Sequence, residues 1–257
     1  MDISKFFAGR KKTGLALGGG AVFGAAHVGV LKALKEKEVE INFISGTSIG
    51  AFIAAFVAFE MKLEDIESLV RELNWLDISN LSLSKYALLS NEKFGKVVID
   101  ALGDVNIEDA KIPLAIVSTN ISNGDKVVLR KGNLAKAVMA STCIPGIFNP
   151  VELEGKWLVD GGVVENVPVN PLIEMGADRI IAVDLNTGSA DNVPGNIIEV
   201  LLNSFRFVLK SASKEVSKKA HLLIDPDLSA YNRYDVDQSD ELIEKGYSKA
   251  KELLINF

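Results

Sequence analysis

Hydrophobic residues along this chain form two kinds of stretch, short continuous runs and longer segments with helical spacing, which alternate. Apolar runs of four to eight residues are typical of buried strands, and recurrence at every third or fourth position is typical of helices with one buried face. The runs predict strands at 13–17, 41–44, 114–119, 126–129, 151–153, 157–159, 179–185 and 221–224. The spacing predicts helices at 25–39, 51–59, 63–73, 92–102, 134–140, 197–209 and 240–254.

This order of elements predicts an α/β fold. Strands that alternate with helices build a mostly parallel central sheet with helices on both faces, an α/β/α arrangement of three layers. The 257 residues contain no internal repeat and no interdomain linker, so we expect a single domain over 1–257. The segment 74–89 has no clear period; it predicts irregular structure packed on the core, with a mobile lid or an acyl-chain surface as the alternative.

A glycine loop at 18–24 follows the first predicted strand and leads into a helix. Such a loop lets backbone N–H groups converge on an anion, which is either a cofactor phosphate or a transient oxyanion. A dinucleotide site would require a third glycine where Phe23 stands and an acidic residue at the end of the second strand, which instead ends in Ile44-Ser45. The sequence therefore favours the oxyanion over the nucleotide.

The second glycine turn contains Ser48, between Gly46 and Gly50, and joins a strand to a buried helix. A serine at a tight strand–helix turn is typical of a nucleophile elbow, and the N-terminus of the helix faces the place where an oxyanion would form. The alternative is a loop serine that caps the helix. Ser48 is the candidate nucleophile.

The candidate base is a carboxylate, because the chain has only two histidines, His27 and His221. His27 lies in the first helix and is expected to be structural, whereas His221 would complete a Ser-His-Asp triad only through a loop after the last strand. A partly desolvated carboxylate can accept a serine proton directly. Asp160 ends a predicted strand and enters the glycine turn Gly161-Gly162; the alternative is an Asx-turn residue.

Composition limits the partners and the cellular compartment. The formal net charge of −6 and the lack of a basic stripe with aromatics argue against nucleic-acid binding. The single cysteine, Cys143, cannot form an internal disulfide, and the longest apolar helical run, 51–59, is far shorter than the roughly 20 residues that span a bilayer. We expect a cytoplasmic protein whose contact with membranes, if any, is apolar and peripheral; the sequence does not indicate an oligomeric state.

Four blocks together resemble the patatin-like phospholipase family. They are the glycine loop, the segment around Ser48, the S-x-x-x-P segment from Ser141 to Pro145, and the DGG-x-x-x-N-x-P segment from Asp160 to Pro168, and they fall within about 14–183. The resemblance implies a serine lipid acyl hydrolase, without metal or cofactor, that acts on a lipid or acyl-ester substrate on an α/β/α fold.

The resemblance also implies the roles of individual residues. Ser48 is the nucleophile and Asp160 its base, and the oxyanion-hole amides come from Gly19, Gly20 and Ala21. One position departs from the family pattern, because Phe23 stands where Arg or Lys is usual. With no basic cluster visible near the motifs, this predicts a preference for neutral over anionic esters. A histidine triad through His221, a non-catalytic relative and a phosphate- or nucleotide-binding module remain alternatives.

Overall fold

The computed structural model describes residues 11–72, 80–81, 86, 89–186, 193–195, 197–233 and 235–256. The strands are β1 Thr13–Leu17, β2 Phe43–Thr47, β3 Asn80–Leu81, β4 Leu89–Ser90, β5 Leu114–Asn120, β6 Lys126–Leu129, β7 Val151–Leu153, β8 Lys156–Asp160, β9 Arg179–Val183 and β10 Leu222–Ile224. The helices are α1 Ala25–Glu36, α2 Ile49–Ala58, α3 Leu63–Glu72, α4 Glu92–Leu102, α5 Leu134–Ser141, α6 Val169–Glu174, α7 Ile197–Val216 and α8 Ser239–Leu253.

The central sheet has the strand order β10-β9-β1-β2-β5-β8-β7, and β6 also pairs with β5. The five strands from β10 to β5 are parallel, whereas β6 and β8 run antiparallel to β5, and β7 pairs antiparallel with β8. The parallel strands are largely apolar because both of their faces are buried. The expectation of an α/β fold with a mostly parallel sheet is confirmed.

The middle strand β1 shows how the layers form. Successive side chains of a strand point to opposite faces of the sheet. Leu15 and Leu17 belong to the large core cluster with residues of α1, α2 and α8. Ala16, between them, belongs to a second cluster with Val169 and Leu172 of α6. Helices therefore cover both faces of the sheet.

Most predicted elements are present, with three differences. Helix α7 continues to Val216, beyond the predicted end at residue 209, although the apolar period stops there. The short helix α6, which contains Pro171, was not predicted from the sequence. Most of the segment 74–89 lies outside the described residues; its described parts include β3, which pairs antiparallel with β4. Among the helices that the structure describes, none is long and apolar enough to cross a bilayer.

Candidate active site

Strand register brings Ser48 and Asp160 side by side along one edge of β5. Strand β2 is parallel to β5 with Thr47 opposite Val117, so Ser48 follows at the level of Ser118. Strand β8 is antiparallel to β5, and its last residue, Asp160, lies opposite Ser118. Strand β6 pairs with Val117 and Ser118 from the opposite edge of β5, so β2 and β8 share one edge and the two candidate residues are neighbours with no strand between them. Strand β8 can occupy this edge because β5 continues to Asn120, beyond the end of its pairing with β2 at Val117.

The backbone at Ser48 has the geometry of a sharp elbow. Its φ of 56° lies in the left-handed region, where residues other than glycine are strained. The chain passes so tightly that a Cβ on Gly50 would lie 2.1 Å from the carbonyl oxygen of Leu17. Ser48 is only 4% exposed, and its side chain forms no capping hydrogen bond to α2. The interpretation of Ser48 as a helix cap is therefore not supported.

Ser141 holds the elbow from a distant part of the chain. The backbone N–H of Ser48 donates a hydrogen bond to the Oγ of Ser141 at 2.9 Å. The same hydroxyl donates to the carbonyl oxygen of Val117 at 2.6 Å. Ser141 lies in the S-x-x-x-P block that the sequence singled out, but sequence reasoning assigned it no role.

Asp160 is completely buried, with its two carboxylate oxygens in different environments. Oδ1 accepts the N–H of Gly162 at 2.8 Å, so the Asx-turn that the sequence offered as an alternative role is present. Oδ2 is buried and has no hydrogen-bond partner of ordinary geometry. Burial raises the pKa of Asp160 to about 7, and the nearby Ser48 hydroxyl and the Gly162 N–H oppose this rise. A carboxylate with such a pKa can exchange a proton near neutral pH.

The glycine loop lies directly against Ser48. A Cβ on Gly19 would lie 3.0 Å from the Cβ of Ser48, so only glycine leaves room between them. The N–H of Gly19 points instead to Asn166, whose Oδ1 accepts it at 3.1 Å. The N–H groups of Gly20 and Ala21 donate to no atom among the described residues. Two of the three expected loop amides are thus unoccupied, and the third is engaged.

Two side chains bond to the carbonyl oxygens of this loop, and a third holds one of these two side chains in place. His27 bonds through Nε2 to the carbonyl oxygen of Gly18 at 2.8 Å. The Nδ2 of Asn186 donates to the carbonyl oxygen of Gly19 at 2.7 Å, and Arg233 donates to the Oδ1 of Asn186, also at 2.7 Å. Sequence reasoning missed Asn186 and Arg233, because neither lies in a recognisable motif.

Neither histidine is placed as the base of a triad with Ser48. A carbonyl oxygen only accepts, so Nε2 of the buried His27 carries the proton, and burial lowers the pKa of His27 to about 4. His221 precedes β10 at the opposite end of the sheet, where its Nδ1 accepts the N–H of Ile180. At about 3.3 Å per residue and 4.8 Å per strand, His221 lies roughly 20 Å from Ser48. The structure does not support the triad alternative through His221.

Phe23 does not present an apolar face to the site. Its side chain is only 3% exposed, and the guanidinium of Arg233 lies 4.4 Å from the centre of its ring. A cation therefore lies beside the glycine loop, although the sequence shows no basic cluster near the motifs. Arg233 could not be recognised from the sequence, because it lies 210 positions beyond Phe23 (233 − 23).

The described residues contain no group of three or more His, Cys, Asp or Glu side chains suited to a metal ion. The chemistry that this arrangement offers is that of a buried hydroxyl, a carboxylate of raised pKa and unoccupied amides. These three features match what acyl transfer requires of a nucleophile, a base and an oxyanion site.

Comparison with known proteins places these residues in a family. The family model described as "Patatin-like phospholipase" matches residues 15–173, more than half of the chain. An uncharacterized NTE family protein of Mycobacterium tuberculosis is 35% identical over 198 residues, which cover 75% of this chain and 55% of that protein. A lysophospholipase named NTE1 from Cryptococcus neoformans is 34% identical over 188 residues, 71% of this chain and 12% of that protein.

The fold has known counterparts as well. VipD from Legionella pneumophila superposes with a TM-score of 0.65 at 15% identity, over 95% of this chain and 66% of that one. The chain thus spans about half the length of the mycobacterial relative and about an eighth of the fungal one. On the match of the family model, the chain belongs to the patatin-like phospholipase family.

Proposed function

We propose that this protein is a serine hydrolase of lipid acyl esters that uses Ser48 as nucleophile and Asp160 as its only base. The observation that carries the proposal is the placement of the strained Ser48 elbow at the level of the fully buried Asp160. Strain of this kind persists where the surroundings hold it, and it is common at active sites. Family membership supports the same substrate class.

In the first half of the reaction, the Ser48 Oγ attacks the ester carbonyl while Oδ2 of Asp160 accepts the hydroxyl proton. Oδ2 has no other hydrogen-bond partner among the described residues, whereas Oδ1 is held by Gly162. The tetrahedral oxyanion accepts hydrogen bonds from the unoccupied N–H groups of Gly20 and Ala21. Its collapse breaks the ester bond, and the alcohol leaves with the proton from Asp160.

In the second half, water attacks the acyl-enzyme and Asp160 accepts a proton from that water. The same amides stabilise the second tetrahedral oxyanion. Its collapse releases the fatty acid and returns the proton to Ser48. Gly19 contributes an N–H only if its bond to Asn166 opens. Its main role in this proposal is steric, because a side chain there would collide with Ser48.

A phosphate- or nucleotide-binding module is less well supported. Such a site would use the loop amides for a permanent anion, yet one of the three is already engaged by Asn166. Phe23 fills the position of the third fingerprint glycine and is buried. A binding module also has no use for the buried carboxylate at the level of Ser48.

The direct test is covalent labelling with a fluorophosphonate probe, followed by intact-mass analysis. We expect one adduct on the native protein, located at Ser48, because an activated serine beside amide donors reacts and ordinary serines do not. Ser48→Ala should abolish labelling, whereas Ser122→Ala, which alters an exposed loop serine, should leave it intact. Labelling that persists in folded Ser48→Ala would remove the enzymatic proposal.

A further inference from the structure

Exposed apolar side chains concentrate on the outer face of α7 and the residues just before it. Five of the eleven large exposed hydrophobic residues in the described part of the chain lie within positions 193–208. They are Val193, Ile197, Val200, Phe207 and Val208, of which Ile197 is 65% and Phe207 62% exposed. Single exposed apolar residues are normal, but a cluster marks an interaction surface. We call these five residues, four on α7 and Val193 just before it, the outer face of α7.

The inner side of the same helix contacts the candidate active site. A Cβ on Gly162 would lie 2.1 Å from Cδ2 of Leu209, so this leucine packs directly on the turn that follows Asp160. The Oγ of Ser213 accepts a hydrogen bond from Nδ2 of Asn166 at 3.0 Å. The outer face thus lies about one helix diameter, roughly 10 Å, from the proposed catalytic residues.

The charge of this segment is opposite to that of the whole chain. Helix α7, Ile197–Val216, contains three cationic residues and two acidic ones, a net charge of 3 − 2 = +1, whereas the whole chain carries −6. The guanidinium of Arg206 lies 5.1 Å from the centre of the Phe207 ring, and Lys210 is exposed one turn further on. Apolar and cationic side chains therefore share one surface.

A shallow cavity of about 370 Å³ opens on the same surface. Its lining includes Val193, Val200 and Phe207 from the outer face, together with Arg206. Helices that lie in a membrane interface combine exposed aliphatic or aromatic residues with Lys and Arg, which attract anionic head groups. This combination favours a lipid surface over a neutral protein partner.

We infer that the outer face of α7 is the surface by which this protein docks on an anionic lipid bilayer. The inference rests on the proposed function, because a lipid surface is where an acyl-ester substrate is found. Docking places the active site within one helix diameter of the bilayer. Val200 and Phe207 enter the interface, while Arg206 and Lys210 pair with head-group phosphates.

The test measures vesicle binding and hydrolysis separately. Vesicles of phosphatidylglycerol and phosphatidylcholine in equal parts are sedimented with the full chain carrying Ser48→Ala, so that binding is read without turnover. Adding Val200→Ser and Phe207→Ser should weaken binding at least tenfold, because two apolar side chains no longer leave water. Ile173→Ser, which alters a residue 49% exposed on α6, is the matched control and should leave binding unchanged.

The role of the cationic residues in vesicle binding is tested separately. Lys210→Glu should weaken binding to the anionic vesicles and reduce its salt dependence, but it should have little effect on vesicles of phosphatidylcholine alone. Equal binding of Lys210→Glu and the parent to anionic vesicles would overturn the role assigned to the cations.

Hydrolysis distinguishes failure of docking from failure of the proposed function. With Ser48 intact, the double variant should lose at least tenfold in rate on vesicle-borne ester and keep its rate on a water-soluble short-chain ester. Undiminished vesicle binding by the folded double variant overturns the docking inference even if esters are hydrolysed. Vesicle binding without hydrolysis of any ester sinks the proposed function and leaves docking standing. A double variant that loses self-association in sedimentation velocity but keeps vesicle binding would assign the face to a second copy of the chain.

Discussion

The backbone N–H of Ser48 donates a 2.9 Å hydrogen bond to Oγ of Ser141, which donates in turn to the carbonyl oxygen of Val117. One hydroxyl thereby connects the strained elbow to β5, the strand along whose edge Ser48 and Asp160 lie side by side. A left-handed conformation at a residue other than glycine is unfavourable by itself and needs such support. Ser141 is therefore expected to position the nucleophile without contacting the substrate.

Ser141→Ala should lower kcat for ester hydrolysis and leave KM nearly unchanged. The substitution leaves the buried N–H of Ser48 without a partner, which we expect to cost about 1–3 kcal/mol in the free energy of unfolding. Urea unfolding and steady-state kinetics on a soluble ester measure the two effects. Ser68→Ala, which alters an exposed serine bonded to its own helix, is the control. If Ser141→Ala lowers stability and leaves kcat intact, Ser141 has only a structural role.

The pH dependence of kcat/KM should reflect Asp160. The pKa of this carboxyl is about 7, and the proposed base acts only when it is ionised, so activity should increase as the pH rises through 7. Asp160→Asn should reduce activity by at least a hundredfold at every pH, whereas His221→Ala should retain most of it. An acidic limb near pH 4 in the native protein, or an inactive but folded His221→Ala, would contradict the assignment of the base.

Asp160 should also make the native protein less stable as the pH rises. Its pKa is about 7 when folded and 3.8 ordinarily, so between these values the folded state holds a proton that the unfolded state has lost. The free energy of unfolding therefore decreases from pH 4 to pH 8, by about 4 kcal/mol from this group alone. Asp160→Asn removes this contribution. Urea unfolding at several pH values should show a smaller decrease in the variant, and identical profiles would refute the prediction.

Phe23→Arg should lower stability without changing substrate preference. Phe23 is buried beneath the guanidinium of Arg233, so a second cation there would be desolvated and next to a like charge. We expect a lower Tm and an unchanged ratio of kcat/KM for a neutral and an anionic ester of equal chain length. Phe23→Leu, which keeps an apolar side chain, serves as a folded control. A ratio shifted toward the anionic ester in Phe23→Arg would show instead that this position contacts the head group.

Arg233 should affect catalysis through the glycine loop and leave substrate preference unchanged. Arg233 bonds to Asn186, which holds the carbonyl oxygen of Gly19. Arg233→Gln should therefore lower kcat for neutral and anionic esters by the same factor. Selective loss of the anionic ester alone would mean that the guanidinium binds the substrate directly.

The sequence by itself determined the local parts of the site. The glycines around Ser48 and after Asp160 predict tight turns because only small residues fit there, and apolar runs predict the strands that lead into those turns. These features depend on backbone geometry over a few residues. The predicted bounds of β1 and α4 therefore agree with the structure at both ends.

Tertiary structure alone decided how these parts meet. Asp160 reaches the level of Ser48 through an antiparallel strand whose position depends on its register with β5, and no local pattern encodes that register. Ser141, Asn186 and Arg233 support the loop and elbow from 47 to 167 positions away from the residues they bond to. Helix α7 outlasts its apolar period, with Ser213 buried against Asn166. Such contacts follow from the packing of distant segments, because hydrogen-bonding side chains carry no periodic signal that names their partners.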